Sequence, residues 1–210
     1  WWTVKAGPWA CWTKRICWRK ALGNKKSGGS LDRRLRRVRL FAMDVDGVLT
    51  DGGIIVLNSG EEVKVWNVKD RIAFFILKRF GDRFPVAWIT GRKSRQVADR
   101  AKEVGVAALF QNCDHKGLAL ESVLDKLKLT PAESLFMGDD LVDLPALRRA
   151  GVAVCPADAH PEVKKACHWV TRAAGGRGAL REVVDRVLTV RGLMPAVVAQ
   201  FENPRRRPNP

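Results

Sequence analysis

The residues best suited to chemistry are two aspartates, Asp44 and Asp46, which stand one residue apart at the end of an apolar run. Residues 38–43 are apolar except for Arg39, as expected of a strand that is buried on both faces of a parallel sheet. The spacing of two places both carboxylates on the same side of an extended backbone. There they could share a divalent cation, or divide the roles of nucleophile and acid/base.

Two other interpretations of this stretch compete with this one. A calcium-binding loop of the D-x-[DN]-x-[DN]-G type is disfavoured, because position 48 is valine and a strand pattern, not a helix, precedes the aspartates. A solvated turn after a strand stays open, because a single Asp-x-Asp pair is common in turns. The decision therefore depends on the residues further along the chain.

A second run of this kind ends in carboxylates closer to the C-terminus. Ser134 and the apolar residues 135–137 are followed by Gly138 and then by Asp139, Asp140 and Asp143. Mg²⁺ prefers oxygen ligands and usually takes one or two carboxylates together with water and substrate phosphate. Asp44 and Asp139 are therefore predicted to be Mg²⁺ ligands. Asp140 and Asp143 are interpreted as supporting carboxylates that start a helix or orient a lysine.

A phosphate-binding role is predicted for Thr90 and Lys116. Thr90 and Gly91 follow the apolar residues 85–89 and precede a helical pattern, so a hydroxyl and a main-chain amide face a helix N-terminus. Lys116 lies in a loop before another helical pattern. Each signal is weak alone, since a loop lysine is usually solvated. Because predicted strands elsewhere in the chain also end in polar residues suited to such a site, Lys116 becomes a candidate for binding phosphate.

The alternation of strand and helix patterns predicts an α/β sandwich with a mostly parallel sheet. Residues 54–57 and 62–66 predict a β-hairpin, which would act as a small flap over the site in place of a cap domain. Asp70 is expected to cap the helix after the hairpin. Further strands are predicted at 107–110, 152–155 and 169–171, and further helices at 94–104, 117–127, 161–165 and 179–190.

The excess of positive charge lies at the ends of the chain. The formal net charge is +16, and residues 1–39 hold twelve Lys/Arg against a single acidic residue. Residues 1–35, which are rich in Trp, and residues 193–210 are expected to be disordered extensions of one folded domain, residues 36–192. A basic arm that binds RNA or anionic lipid is the alternative for residues 1–35. The nearly neutral body argues against a dedicated nucleic-acid-binding protein.

The cellular compartment of the protein is predicted from its cysteines and its hydropathy. The five cysteines show no C-x-x-C spacing and their number is odd, which favours reduced thiols. No apolar run approaches the ~18 residues of a membrane span, and the first residues do not form a signal peptide. A cytoplasmic protein without a membrane span is therefore expected.

Taken together and in order, the motifs resemble those of the haloacid dehalogenase (HAD) superfamily of phosphatases. The resemblance is closest to the 3-deoxy-D-manno-octulosonate 8-phosphate phosphatase family and covers roughly residues 36–192. It implies a Rossmannoid three-layer sandwich without a cap domain. The motifs that carry it are residues 44–52 (DVDGVLTDG), the hairpin, residues 67–70 (NVKD), residues 90–92 (TGR), Lys116, residues 138–143 (GDDLVD), residues 157–161 (ADAHP) and residues 174–179 (AGGRGA).

The resemblance implies Mg²⁺-dependent hydrolysis of a sugar-acid phosphate through an aspartyl-phosphate. Asp44 would be the nucleophile and Asp46 the acid that later activates water. Thr90 and Lys116 would bind the phosphoryl group. Mg²⁺ would be held by Asp44, the main-chain carbonyl of Asp46, and Asp139.

The resemblance also implies a substrate site and an assembly. The enzyme would be a homotetramer with central hairpins, in which a neighbouring subunit closes each site. Two departures, Arg71 where glycine is expected and Phe75 where arginine is expected, leave the substrate open, with a nonulosonate 9-phosphate as one alternative. A non-catalytic oligomerisation module is an alternative function for the whole domain, although such a module has no need for charges at strand ends. The implied substrate contacts are Asp46, Asn67, Val68, Lys69, Asp70, Arg92, Arg100, Lys116 and Arg177.

Overall fold

The computed structural model describes residues 28–203. The helices are α1 (Gly28–Arg37), α2 (Val68–Lys78), α3 (Arg95–Val104), α4 (Lys116–Leu127), α5 (Leu144–Arg149), α6 (Pro161–Ala166), α7 (Ala179–Val190) and α8 (Met194–Glu202). The strands are β1 (Leu40–Met43), β2 (Ile55–Val56), β3 (Glu62–Val63), β4 (Val86–Ile89), β5 (Ala108–Phe110), β6 (Ser134–Met137), β7 (Val152–Cys155) and β8 (Trp169–Val170).

Six strands form one sheet in the order β5-β4-β1-β6-β7-β8, and all of its pairings are parallel. The chain leaves β1 toward β4 and β5 and then crosses back to β6 on the other side. The carboxyl ends of β1 and β6 therefore flank the point at which the strand order reverses, where open α/β sheets bind ligands. The predicted hairpin is confirmed as the separate antiparallel pair β2-β3.

The core lies on both faces of the sheet because successive side chains of a strand point to opposite faces. Phe41 and Met43 face one buried cluster, and Leu40 and Ala42 face the other. Helices α1, α2 and α7 cover the first face, and α4, α5 and α6 cover the second. This is the predicted three-layer α/β sandwich.

The folded unit extends past the predicted boundaries at residues 35 and 193 on both sides. In α1, Leu35 is fully buried in the core and Arg34 Nη1 donates to the Gly151 carbonyl at 2.9 Å. In α8, Val197 is buried against the same cluster. The spacing of Leu31 and Leu35, with Val38 directly after the helix, gives this segment an apolar stripe that its arginines obscure in the sequence. Residues 1–27 and 204–210 of the predicted extensions lie outside the described residues.

The predictions of no membrane span and of reduced thiols can be compared with the structure of residues 28–203. None of the helices in this range combines the length and the apolar character needed to cross a bilayer. Cys113, Cys155 and Cys167 are free thiols, as expected, while Cys11 and Cys17 lie outside the described range.

Truncation of Leu35 should destabilise the domain. Leu35 is fully buried, so we expect Leu35→Ala to lower the free energy of unfolding by about 2–5 kcal/mol. The matched control is Leu118→Ala on α4, where the side chain is 57% exposed and a change within about 0.5 kcal/mol is expected. Urea denaturation measures both. Equal stability of the two variants would show that α1 does not belong to the cooperative unit.

Candidate active site

Asp44 is the first residue after β1, and its two carboxylate oxygens have different environments. Its backbone N–H donates to the Met137 carbonyl at 2.9 Å, which ties it to β6. Oδ2 lies 2.7 Å from Lys116 Nζ. Oδ1 is buried and has no hydrogen-bond partner among the described residues. One oxygen of Asp44 is therefore held by a cation, and the other is left for a ligand or a reacting atom.

Asp143 is a fully buried carboxylate that orients its neighbours. Its Oδ1 accepts from Lys116 Nζ at 2.7 Å. Its Oδ2 accepts from the backbone N–H groups of Asp139 and Asp140 at 2.9 and 3.3 Å. Both oxygens of Asp143 are thus in use. This agrees with the interpretation that Asp143 orients Lys116 and the loop.

Asp139 joins these residues in a cluster of three carboxylates. Oxygens of Asp44, Asp139 and Asp143 lie within 4.8 Å of one another. Asp139 Oδ1, like Asp44 Oδ1, is buried without a hydrogen-bond partner in the described part of the chain. Two unpaired carboxylate oxygens from two strand ends are a donor set that fits a hard divalent cation.

Gly47 makes room for Asp139. A Cβ at position 47 would lie 2.1 Å from Asp139 Oδ2, and the backbone there has φ +85°, a conformation that favours glycine. The turn after Asp46 can therefore pass close to Asp139 only because residue 47 lacks a side chain.

The cluster shifts the ionisation of its members. Burial, reinforced by the charge of Asp143, raises the pKa of Asp44 to about 7. Burial, followed by the charges of Asp143 and Asp44, raises the pKa of Asp139 to about 7. Burial acts to lower the pKa of Lys116, but the charges of Asp143 and Asp44 outweigh it and raise the pKa. Lys116 is therefore a cation, and the carboxylates favour a further positive charge.

Thr90 is placed beside this cluster by the sheet. It follows β4, the strand that pairs with β1, and it is 1% exposed. Its Oγ1 accepts from the Arg92 backbone N–H at 3.3 Å. The turn at Gly91 is open, since a Cβ there would meet only the Cys113 carbonyl, at 4.0 Å. The phosphate-binding role of Thr90 stays a prediction.

Asp46 has a partner that the sequence patterns did not predict. Lys64, the residue after β3, places its Nζ on Asp46 Oδ1, and the Lys64 side chain is fully buried. Two residues earlier, Glu62 pairs with Arg92. The signal available in the sequence was the period of two, which puts Glu62 and Lys64 on the same side of the strand. A hairpin expected to act as a flap thus supplies a cation that pairs with Asp46.

Asn67 caps α2, so the prediction that Asp70 caps this helix is wrong. The Asn67 side chain accepts from the Lys69 backbone N–H at 2.8 Å, and its Nδ2 donates to the Gly176 carbonyl at 3.0 Å. Asn67, a predicted substrate contact, therefore joins α2 to the loop before α7.

Asp70 lies in the first turn of α2 and caps α7. It is 3% exposed, and its two oxygens accept from the backbone N–H groups of Gly178 and Arg181, each at 3.0 Å. Burial raises its pKa, while these hydrogen bonds act in the opposite direction. The interactions of Asp70 are with the backbone of another helix, a partner that local sequence cannot reveal.

The remaining predicted substrate contacts lie at or near the surface and do not touch the carboxylate cluster. Val68 and Lys69 are exposed on the first turn of α2. Arg100 pairs with Glu103 and lies 5.7 Å from the Trp66 ring centroid. Arg177 Nη2 lies 3.1 Å from Asp51 Oδ2. Asp140, predicted as a supporting carboxylate, caps the turn Leu141–Asp143 by accepting from the Leu141 N–H at 2.7 Å.

The glycine-rich segment 174–178 is closely packed against the turn after β1. Gly176 N–H donates to the Val48 carbonyl at 2.9 Å. A Cβ at Gly175 would lie only 1.9 Å from the Gly47 carbonyl oxygen. The glycines at these positions permit backbone contact, which is why the segment can pack so closely.

Several known proteins are similar to this chain in sequence. The model of the haloacid dehalogenase-like hydrolase family matches residues 101–181. The chain is 42% identical over 163 residues to the 3-deoxy-D-manno-octulosonate 8-phosphate phosphatase KdsC of Escherichia coli strain K12, with 78% of this chain and 86% of that protein covered. It is 41% identical over 155 residues to the KdsC of Yersinia pestis, with 74% and 82% covered.

Solved structures of phosphatases are also similar to this chain. The 3-deoxy-D-manno-octulosonate 8-phosphate phosphatase of Moraxella catarrhalis, in complex with magnesium ion, phosphate ion and KDO, aligns with a TM-score of 0.80 and 35% identity, covering 83% of this chain and 99% of that one. The cobalt-bound phosphatase of Haemophilus influenzae aligns with a TM-score of 0.72 and 33% identity, covering 76% and 92%.

The raised pKa of Asp139 predicts how pH affects the stability of the metal-free protein. The folded protein keeps a proton on Asp139 up to about pH 7, whereas the unfolded chain releases it near 3.8. Stability should therefore fall as the pH rises through this interval. We expect Asp139→Asn to reduce this fall, seen in urea midpoints measured with a chelator from about pH 5 to 8.

The control for this measurement is Asp125→Asn, at an exposed position on α4. It should follow the wild-type pH profile. If Asp139→Asn also follows it, Asp139 is ionised in the folded protein well below neutral pH.

Proposed function

The chain belongs to the 3-deoxy-D-manno-octulosonate 8-phosphate phosphatase family of haloacid dehalogenase-like hydrolases, and on this basis we propose that it hydrolyses 3-deoxy-D-manno-octulosonate 8-phosphate to the free sugar acid and phosphate. The observation that carries the proposal is Asp44 at the end of β1. Lys116 holds one of its oxygens, and the other is buried without a partner among the described residues.

In the first step the Asp44 carboxylate attacks phosphorus, and the bond to the sugar oxygen breaks as Asp46 protonates that oxygen. This leaves an aspartyl-phosphate on Asp44. In the second step Asp46, now a carboxylate, takes a proton from water, and the oxygen of that water attacks phosphorus. The bond between phosphorus and the Asp44 oxygen breaks, which releases phosphate and restores the Asp44 carboxylate. Lys116 and Thr90 hold the phosphoryl oxygens. Covalent catalysis of this kind replaces one difficult displacement with two easier ones.

Mg²⁺ is proposed as the cofactor, held by Asp44, Asp139 and the main-chain carbonyl of Asp46. The two buried unpaired oxygens of Asp44 and Asp139 support this assignment. Asp143 is not proposed as a ligand, because both of its oxygens already accept hydrogen bonds. The cation would supply positive charge that lets an anionic nucleophile approach an anionic phosphate.

Recognition of the sugar acid is assigned to residues around this centre. Asn67 and Asp70 set the backbone of residues 176–181, and Arg92, Lys69, Arg100, Arg177 and Val68 are the proposed contacts at the surface. Phe75, which replaces an expected arginine, packs with Phe201 of α8 at 6.4 Å between ring centroids and under Arg79 at 4.6 Å. Its side chain thus serves a contact between α2 and α8. This replacement favours a different sugar-acid phosphate, such as a nonulosonate 9-phosphate, as the second candidate substrate.

A homotetramer is proposed in which the hairpins pack together and a neighbouring subunit closes each site. The hairpin supports this by its exposed apolar side chains, with Ile55 at 52%, Val56 at 63% and Val65 at 61% exposure. A purely structural role for the domain is disfavoured, because the buried Lys116 and its carboxylates would serve no purpose in a scaffold. A cytoplasmic location is proposed from the free thiols.

The direct test is a phosphate-release screen over sugar-acid phosphates with and without Mg²⁺. Release from 3-deoxy-D-manno-octulosonate 8-phosphate should require Mg²⁺. Asp44→Asn keeps the shape but removes the nucleophile, so turnover should fall by about a thousandfold or more while circular dichroism stays unchanged. Near-normal turnover by this variant would contradict the covalent mechanism, and Mg²⁺-dependent release from a nonulosonate 9-phosphate alone would favour the second candidate.

Arg177→Ala tests the proposed contact with the sugar acid. A guanidinium binds carboxylate or phosphate through charge-assisted hydrogen bonds, so we expect the KM for the sugar-acid phosphate to rise by about tenfold. p-Nitrophenyl phosphate lacks the sugar acid and should be affected little. Arg148→Ala, at an exposed position on α5, is the control. An equal loss on both substrates would indicate a structural role for Arg177.

A further inference from the structure

Lys64 is a buried cation in an unexpected place. It follows β3 of a two-stranded hairpin whose other side chains are largely exposed, yet its own side chain has no exposed surface. A buried ammonium group is costly unless it is paired. The partner of its Nζ is Asp46 Oδ1, and the Asp46 side chain is 19% exposed.

The backbone on both sides of Lys64 is fixed to the body of the domain. Lys64 N–H donates to Gln96 Oε1 of α3 at 3.0 Å. Two residues earlier, Glu62 pairs with Arg92. Two residues later, the Trp66 ring stacks on the buried Trp88 ring, with centroids 5.7 Å apart and an angle of 14° between the planes. A long side chain that starts from a fixed backbone can hold its partner in one position.

The pairing leaves the two oxygens of Asp46 in different states. Oδ1 is held by Lys64, and Oδ2 has no hydrogen-bond partner among residues 28–203. A carboxylate anchored through one oxygen presents the other in a defined direction. That is what a general acid needs, because proton transfer depends on the distance and the direction of the donor.

A direct contact between Lys64 and substrate does not fit this geometry. The Lys64 side chain has no exposed surface, and its ammonium group is already paired with the Asp46 carboxylate. Lys116 already provides the cation that touches the nucleophile.

We propose that Lys64 is a positioning residue, which holds the Asp46 carboxylate in place for proton transfer to the leaving oxygen and so links the hairpin to the chemical step. The inference rests on the proposed function, in which Asp46 is the acid and base. Lys64 itself touches neither substrate nor metal.

The test uses leaving groups that differ in their need for a proton. A sugar alkoxide is a poor leaving group that needs protonation, phenolate is intermediate, and p-nitrophenolate leaves without it. The ratio kcat/KM reports the steps through transfer of the phosphoryl group to Asp44. For Lys64→Met we expect kcat/KM to fall by about 10- to 100-fold on the sugar-acid phosphate, and less than about threefold on p-nitrophenyl phosphate. Phenyl phosphate should lie between them.

Two further variants separate positioning from folding. Lys64→Arg keeps a charged donor and should recover part of the lost activity. Lys102→Met, at an exposed position on α3, is the matched control and should leave all three values unchanged. Thermal melting verifies that each variant is folded. If Lys64→Met does not fold, Lys64→Gln, which keeps a hydrogen-bond donor, undergoes the same comparison.

Equal losses on all three esters, or no loss on any, would overturn the role of Lys64. The proposed function is judged separately by the wild-type protein. If the wild type hydrolyses the aryl phosphates but no sugar-acid phosphate, the proposed function fails. The comparison of phenyl with p-nitrophenyl phosphate then still decides whether Lys64 acts through Asp46.

Discussion

The site depends on a high density of buried negative charge. Oxygens of Asp44, Asp139 and Asp143 lie within 4.8 Å of one another, and Lys116 is the cation that contacts two of the three residues. Carboxylates so close together in a poorly hydrated place resist ionisation, which is why the pKa values of Asp44 and Asp139 are raised. The same cost creates affinity for a divalent cation. The site is thus electrostatically incomplete without a ligand.

Such an arrangement needs a rigid support, and the parallel sheet provides it. The strands β1 and β6 are buried on both faces and paired along their length, with Met43 opposite Met137. Asp44 and Asp139 follow these strands directly or after one glycine, so their positions are set by the sheet and not by loop conformation. The buried Asp143 then fixes Lys116, which begins α4. Repulsion between the carboxylates is resisted by the stability of the whole sheet.

The parts of this site that the sequence predicted are those with local causes. Asp44, Thr90 and Asp139 each follow an apolar strand, and Lys116 begins a helix, so neighbouring residues were enough to place them. Asp70 was misassigned because its partners, the Gly178 and Arg181 amides, are more than 100 residues away. The pairing of Lys64 with Asp46, only 18 residues apart, was missed because a charged residue in a short hairpin usually faces water.

The contact between Gly175 and the turn after β1 has a consequence for biosynthesis. The turn that carries Asp46 and Gly47 is synthesised early, but the backbone of residues 175 and 176 lies directly against it and Gly176 N–H bonds to Val48. A nascent chain that ends after β7 already holds every carboxylate of the site, yet it lacks the backbone of residues 175 and 176 that packs against the turn. The active site therefore takes its final form only when nearly the whole domain has left the ribosome.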